Sequence, residues 1–100
     1  MIKEVYSIFD VKSKVYSNPT LSIARGDIER EWIDIVNEPD NKFNRHPEDF
    51  ILYKLGTFDD CAGVYDCLDT PEIIARAIDV WKGDPEVTKV VEEVKESLAG

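Results

Sequence analysis

The sequence predicts an α+β fold: a small antiparallel sheet of two hairpins with helices on one face, in the order ββαββαα. Three observations carry that expectation. Residues 2–17 and 50–68 are rich in strand-forming types, and each stretch is interrupted by a polar turn. Residues 25–37 place Ile28, Trp32, Ile35 and Val36 at i, i+4, i+7 and i+8, a single helical stripe. Thr70-Pro71-Glu72 and Asp84-Pro85-Glu86 each spell a helix start, with a capping side chain before a proline.

The elements follow in order. Residues 2–10 carry Val5, Tyr6, Ile8 and Phe9 between polar flanks and read as a strand. Lys12-Ser13-Lys14 is the turn, residues 15–17 return, and Asn18-Pro19 breaks the return. Residues 21–24 fit either an extended segment or a helix opening. The first helix starts near Gly26, has Asp27 at the positive end of its dipole, and stops at Glu38-Pro39, because the residue before proline avoids helical geometry. Residues 50–58 form the third strand, with Ile51, Tyr53 and Leu55 on one face and Leu52, Lys54 and Phe58 on the other. Gly56 inside that run marks a bulge or a close approach of backbone. Residues 59–63 turn and 64–68 pair back. A helix from Thr70 would bury Ile73, Ile74, Ala77, Ile78 and Trp81, and a last helix would carry Val87, Val90, Val91, Val94 and Leu98. That last stripe would cap the core or pair with a second copy as a homodimer.

One hundred residues, 43% of them apolar, suit one domain with a modest core. No window approaches the length of a membrane span, and the start of the chain lacks the pattern of a signal peptide, so a soluble cytosolic protein is expected. Cys61 and Cys67 then read as reduced packing residues. The net charge of −9 disfavours nonspecific binding to a polyanion and favours a basic protein partner, without excluding a local basic patch.

Nothing in the sequence spells an enzyme. There is one histidine, His46, and no nucleophile elbow or phosphate loop. His46 suits a loop-anchoring imidazole better than a general base. Glu48/Asp49 and Asp59/Asp60 suit turns and caps better than a cation, so neither metal nor cofactor is expected. A metal-dependent enzyme using His46 with Asp59/Asp60 is the weakest alternative. Arg25-Gly26-Asp27 spells an integrin-type triplet at a helix start and carries no weight. For contact with single-stranded DNA, the candidates are Lys12, Lys14, Lys42, Arg45 and Lys54 as cations. Tyr6, Tyr16 and Tyr53 are the candidate stacking platforms. The competing reading is that these aromatics are core and these lysines are solubilising edge residues.

Several blocks together resemble a known family. They are Tyr6-Ser7-Ile8-Phe9-Asp10, Ile35-Val36-Asn37, Asn44-Arg45-His46-Pro47-Glu48-Asp49-Phe50, Leu52-Tyr53, Leu55-Gly56 and Phe58-Asp59. They resemble the small non-structural protein of gokushoviruses, single-stranded DNA phages of the Microviridae, over about residues 1–80. Residues 81–100 read as a helical extension of the same single domain beyond the family-like region. The resemblance implies a non-enzymatic phage accessory protein of the host cytoplasm. It would bind DNA and act in genome replication, where single-strand synthesis is coupled to packaging. It transfers no site residues. The alternative is an acidic interaction module, docking on a replication initiator or procapsid protein without touching DNA.

Overall fold

The computed structural model describes residues 1–83. The protein is α+β, with an antiparallel sheet and helices on one face. β1 (Ile2–Asp10) pairs along one side with β4 (Phe50–Asp59), which pairs in turn with β5 (Val64–Arg76). The other side of β1 is shared by two short returning segments, β2 (Val15–Tyr16) and β3 (Thr20–Ser22). Residues 21–24 are thus resolved in favour of an extended segment that leads into the helix. Between β2 and β3 the chain bulges at Asn18-Pro19, and Ser17 repairs the ladder. Its backbone N–H donates to Ile8 O (2.8 Å) and its Oγ accepts from Ile8 N (2.9 Å). Ser7, 3% exposed, donates its hydroxyl to Ser17 O at 2.7 Å.

α1 (Arg25–Val36) follows the predicted stripe, burying Ile28, Trp32 and Val36 while Ile35 stays at the rim. Three asparagines satisfy carbonyls at its C-terminal end, the groups a helix leaves without internal partners. Asn37 Nδ2 donates to Ile33 O (2.7 Å), Asn41 Nδ2 to Ile35 O (2.6 Å) and Asn44 Nδ2 to Val36 O (3.1 Å). Asn41 Oδ1 also caps α2 (Lys42–Arg45) by accepting from Asn44 N at 2.8 Å. A 3-10 turn at Pro47–Asp49 then delivers the chain into β4. The core forms where Tyr6, Phe50 and Leu52 of the sheet meet Ile28, Trp32, Val36, Phe43 and Ala77. Its aromatic rings meet edge to face, Trp32 to Phe43 at 5.4 Å and Phe43 to Phe50 at 4.8 Å.

Two expectations change. Thr70-Pro71-Glu72 does not start a helix; β5 runs through it to Arg76, and only one helical turn follows, α3 (Ala77–Val80). The register explains how the proline is tolerated. Lys54 pairs with Glu72 and Gly56 with Cys67, so Leu55 alone faces residues 68–71, and Pro71 lies in that bulge where no ladder donor is required. Ile74 and Ala75 pack on the core from the strand, whereas Ile78 and Trp81 remain substantially exposed.

The second change follows from Leu55, an extra residue opposite β1 between the Val5–Gly56 and Tyr6–Lys54 pairs. It reverses the alternation, so Phe58, paired with Lys3, shares a face with Tyr53 and not with Leu52 and Lys54. Gly56 is the close approach expected of it. A Cβ there would lie 2.3 Å from Asp66 O and 2.8 Å from Cys67 Cα. The last predicted helix, and the dimer contact it would make, lie outside the described residues.

Candidate nucleic-acid interface

The two hairpin turns share one local design. Asp10 opens the first, its carboxylate accepting from Lys12 N at 2.9 Å and Ser13 N at 3.4 Å. Lys14 closes it with φ 59°, its N–H donating to Asp10 O at 2.8 Å. In the second turn Asp59 accepts from Cys61 N (2.9 Å) and Ala62 N (3.3 Å), and Gly63, φ 68°, donates to Asp59 O (2.8 Å). In both turns an aspartate carboxylate caps the loop and a left-handed residue closes it. Burial pushes the Asp10 carboxyl up, but the turn N–H groups, the Ser13 hydroxyl and the Lys42 charge outweigh it and hold its pKa below the usual value. The first turn presents Lys12 and Lys14 to solvent at the end of the sheet.

Beside that turn, three rings gather on the sheet face turned away from the helices. Phe9 and Tyr16 are register partners, with centroids 4.7 Å apart. Tyr53, opposite Ser7 and hence on the same face, meets Tyr16 at 5.6 Å and Phe9 at 6.1 Å. Tyr16 is 44% exposed. Further along this face, Phe58 and Tyr65 are register partners with rings 4.6 Å apart, and Tyr65 is 59% exposed. Two further cations share the face: Lys3 opposite Phe58, and Arg76 opposite Ile51. Lys3 lies 3.6 Å from Asp60. The signal for Phe9, Phe58, Tyr65, Lys3 and Arg76 was strand register, which needs the Leu55 bulge to be placed correctly.

The predicted contact residues divide between the two sides of the sheet. Tyr16, Tyr53, Lys12 and Lys14 come together at the hairpin end. Lys42 lies on the helix side, 5.3 Å and 5.7 Å from the Phe43 and Phe50 ring centres. It lines a groove of ≈ 270 Å³ with Asp10, Ser13 and Tyr16. Arg45 is exposed on α2.

Tyr6 is a correction: its side chain is 0% exposed in the core, so its ring offers no stacking surface. Its hydroxyl donates a hydrogen bond to Glu4. Burial, reinforced by the Glu4 carboxylate, pushes its pKa up to about 12. Lys54 is held on the same inner side by an ion pair to Glu4 at 3.0 Å, with only 17% of its side chain exposed. The Tyr6 hydroxyl bond first, then Lys54, lower the Glu4 pKa against the opposing effect of burial.

The metal-enzyme alternative loses its geometry. His46 lies beside Glu48 and Asp49 before β4 begins, whereas Asp59 ends that strand and Asp60 follows it. At about 3.3 Å per residue, the 10-residue strand separates them by about 30 Å. The second cluster already has local work: Asp59 caps its turn, and Asp60 bonds the amino terminus at 2.6 Å.

Residues 3–80 match the model of a family described as Phage ORF5 protein. The chain belongs to the Phage ORF5 protein family. The matched span takes in all of the sheet but Ile2, both ring clusters and all three helices of the described residues, so the candidate surface lies within the family-matched part. No curated protein and no solved structure matches the chain.

Proposed function

We propose that this phage protein is a non-enzymatic accessory factor in single-stranded DNA synthesis and packaging, of the gokushovirus type, working in the host cytoplasm. It contacts single-stranded DNA through the Phe9–Tyr16–Tyr53 cluster, with Lys12 and Lys14 meeting the backbone. The observation that supports this reading is the mutual contact of those three rings on an outward sheet face. Sequence-tolerant single-strand binding combines such stacking surfaces with a few cations. Lys42 and Arg45 extend the cationic side of the same end, and Lys54 has no part in it.

Fluorescence anisotropy of a labelled oligo-dT at low salt tests the reading. Tyr16→Ala and Tyr53→Ala should each weaken binding by about 5- to 100-fold, the range of one lost base stack. The salt slope should be shallow, about −0.7 for each phosphate met. Absence of wild-type binding at low salt sinks direct contact.

A second reading is favoured by the charge of α1, which carries Asp27, Glu29, Glu31 and Asp34 against Arg25 and Arg30. In it the protein docks through its acidic helices on a basic replication initiator or procapsid protein. Co-purification of either from infected cells, lost on reversing the α1 charges, supports it.

A further inference from the structure

Trp32 of α1 is 3% exposed, and its indole Nε1–H is buried without an acceptor among the described residues. Buried polar groups are nearly always paired, so a lone donor calls for an explanation. The same side chain lines a half-open pocket of ≈ 170 Å³ between α1 and the outer edge of β1. Ile28, Ile35 and Leu52 give it apolar walls, and Ser17 and Glu31 add polar groups. Ile35 and Glu31 are exposed, so the pocket is reached from the solvent side of α1.

We propose that this pocket takes one apolar side chain of a basic protein segment, seated against the Trp32 side chain that lines it. The inference rests on the protein-docking reading above, not on DNA contact. The size and walls suit one aliphatic or aromatic side chain. The charge selects the kind of partner. Glu31 belongs to the lining, and Asp27 and Asp34, four residues before it and three after, fall on the same side of the helix. Carboxylates so placed repel a phosphate chain and attract lysine or arginine beside the anchoring residue. The ring cluster lies on the opposite side of the sheet, so DNA and a basic segment do not compete for one surface.

The test uses the full chain with Trp81→Phe, leaving Trp32 as the single indole. Its N–H resonance is followed by NMR at 150 mM salt during titration with capped Lys-Lys-Leu-Lys-Lys, capped Lys-Lys-Ser-Lys-Lys and an oligo-dT. The leucine peptide should shift the indole signal and bind at least about tenfold tighter than the serine peptide. Glu31→Lys should weaken the leucine peptide at least about fivefold without weakening the oligonucleotide. Ile35→Phe, which fills the lining from α1, should abolish the shift. Equal binding of the two peptides overturns the pocket while leaving the docking reading intact. Binding of neither overturns both, and an indole shift caused by oligo-dT assigns the pocket to DNA instead.

Discussion

Tyr6 and Glu4 show how one side chain can be misplaced by sequence and still be informative. Both strand faces of β1 are apolar, Tyr6 and Ile8 on one and Val5 and Phe9 on the other, so periodicity alone does not say which face meets the helices. The structure puts Tyr6 inside and Phe9 outside, and the stacking surface moves with that choice. The buried hydroxyl then acts on its neighbour. Because the folded pKa of Glu4 lies below its ordinary 4.5, its contribution is present above that pH and is lost as the pH falls through the folded value. Tyr6 has the opposite sign. Its pKa of about 12 exceeds the ordinary 10.0, so its contribution is complete below pH 10 and is lost as the pH rises through 12. Tyr6→Phe should therefore cost about 1.5–3 kcal/mol at pH 7, the worth of a hydrogen bond to a charged acceptor. Denaturant titrations should show that deficit shrinking by pH 3, as Glu4 protonates in the wild type too. A deficit independent of pH would mean that the loss is one of packing only.

At the scale of elements, the helix α1 and the first hairpin were legible because their signals are local: a 3.6-residue stripe, a proline stop and a polar turn. The first part of β5, residues 64–68, was legible as the hairpin return, but its continuation was not, because Thr70-Pro71-Glu72 followed by Ile73, Ile74 and Ala77 satisfies both a helix start and a bulged strand that ends in one helical turn. Pairing with β4 decides between them, and pairing is a long-range fact. The same holds for the outer ring pair, since a single extra residue, Leu55, moves Phe58 across the sheet. The two turns offer a direct comparison of local chemistry. They share the aspartate cap and the left-handed closing residue, but one closes with Gly63 and the other with Lys14. A side chain at φ 59° carries a steric cost that glycine avoids. Lys14→Gly should raise stability by about 0.5–1 kcal/mol, after allowing for glycine's greater freedom when unfolded. Thermal melts measure the gain, and an unchanged or lower Tm would show that the Lys14 side chain contributes contacts that offset the strain. The same variant should weaken oligo-dT binding, which separates a turn's fold from its function.

For the whole molecule, the proposed DNA contact has to be reconciled with a net charge of −9. Segregation of the charged groups does so. The rings and the hairpin lysines occupy one side and end of the sheet, while the carboxylates of α1 stand on the layer behind it. The acidic layer still opposes DNA through space, because fields between exposed groups reach about a Debye length, roughly 10 Å at 0.1 M salt and 30 Å at 0.01 M. This separates two kinds of substitution. Replacing Glu29 and Glu31 by Gln and Asp34 by Asn leaves every ring in place and should tighten oligo-dT binding at 0.01 M salt by about two- to tenfold, mainly through a faster association rate. The gain should vanish near 0.15 M, where the Debye length falls to about 8 Å. Tyr16→Ala removes a contact and not a field, so its fold-loss should persist across the same salt range and be visible mainly in the dissociation rate. Stopped-flow traces at the two salt concentrations distinguish these patterns. If the neutralised helix changed dissociation and kept its effect at 0.15 M, α1 itself would be touching the DNA, and the assignment of opposite sides of the sheet to opposite partners would fall.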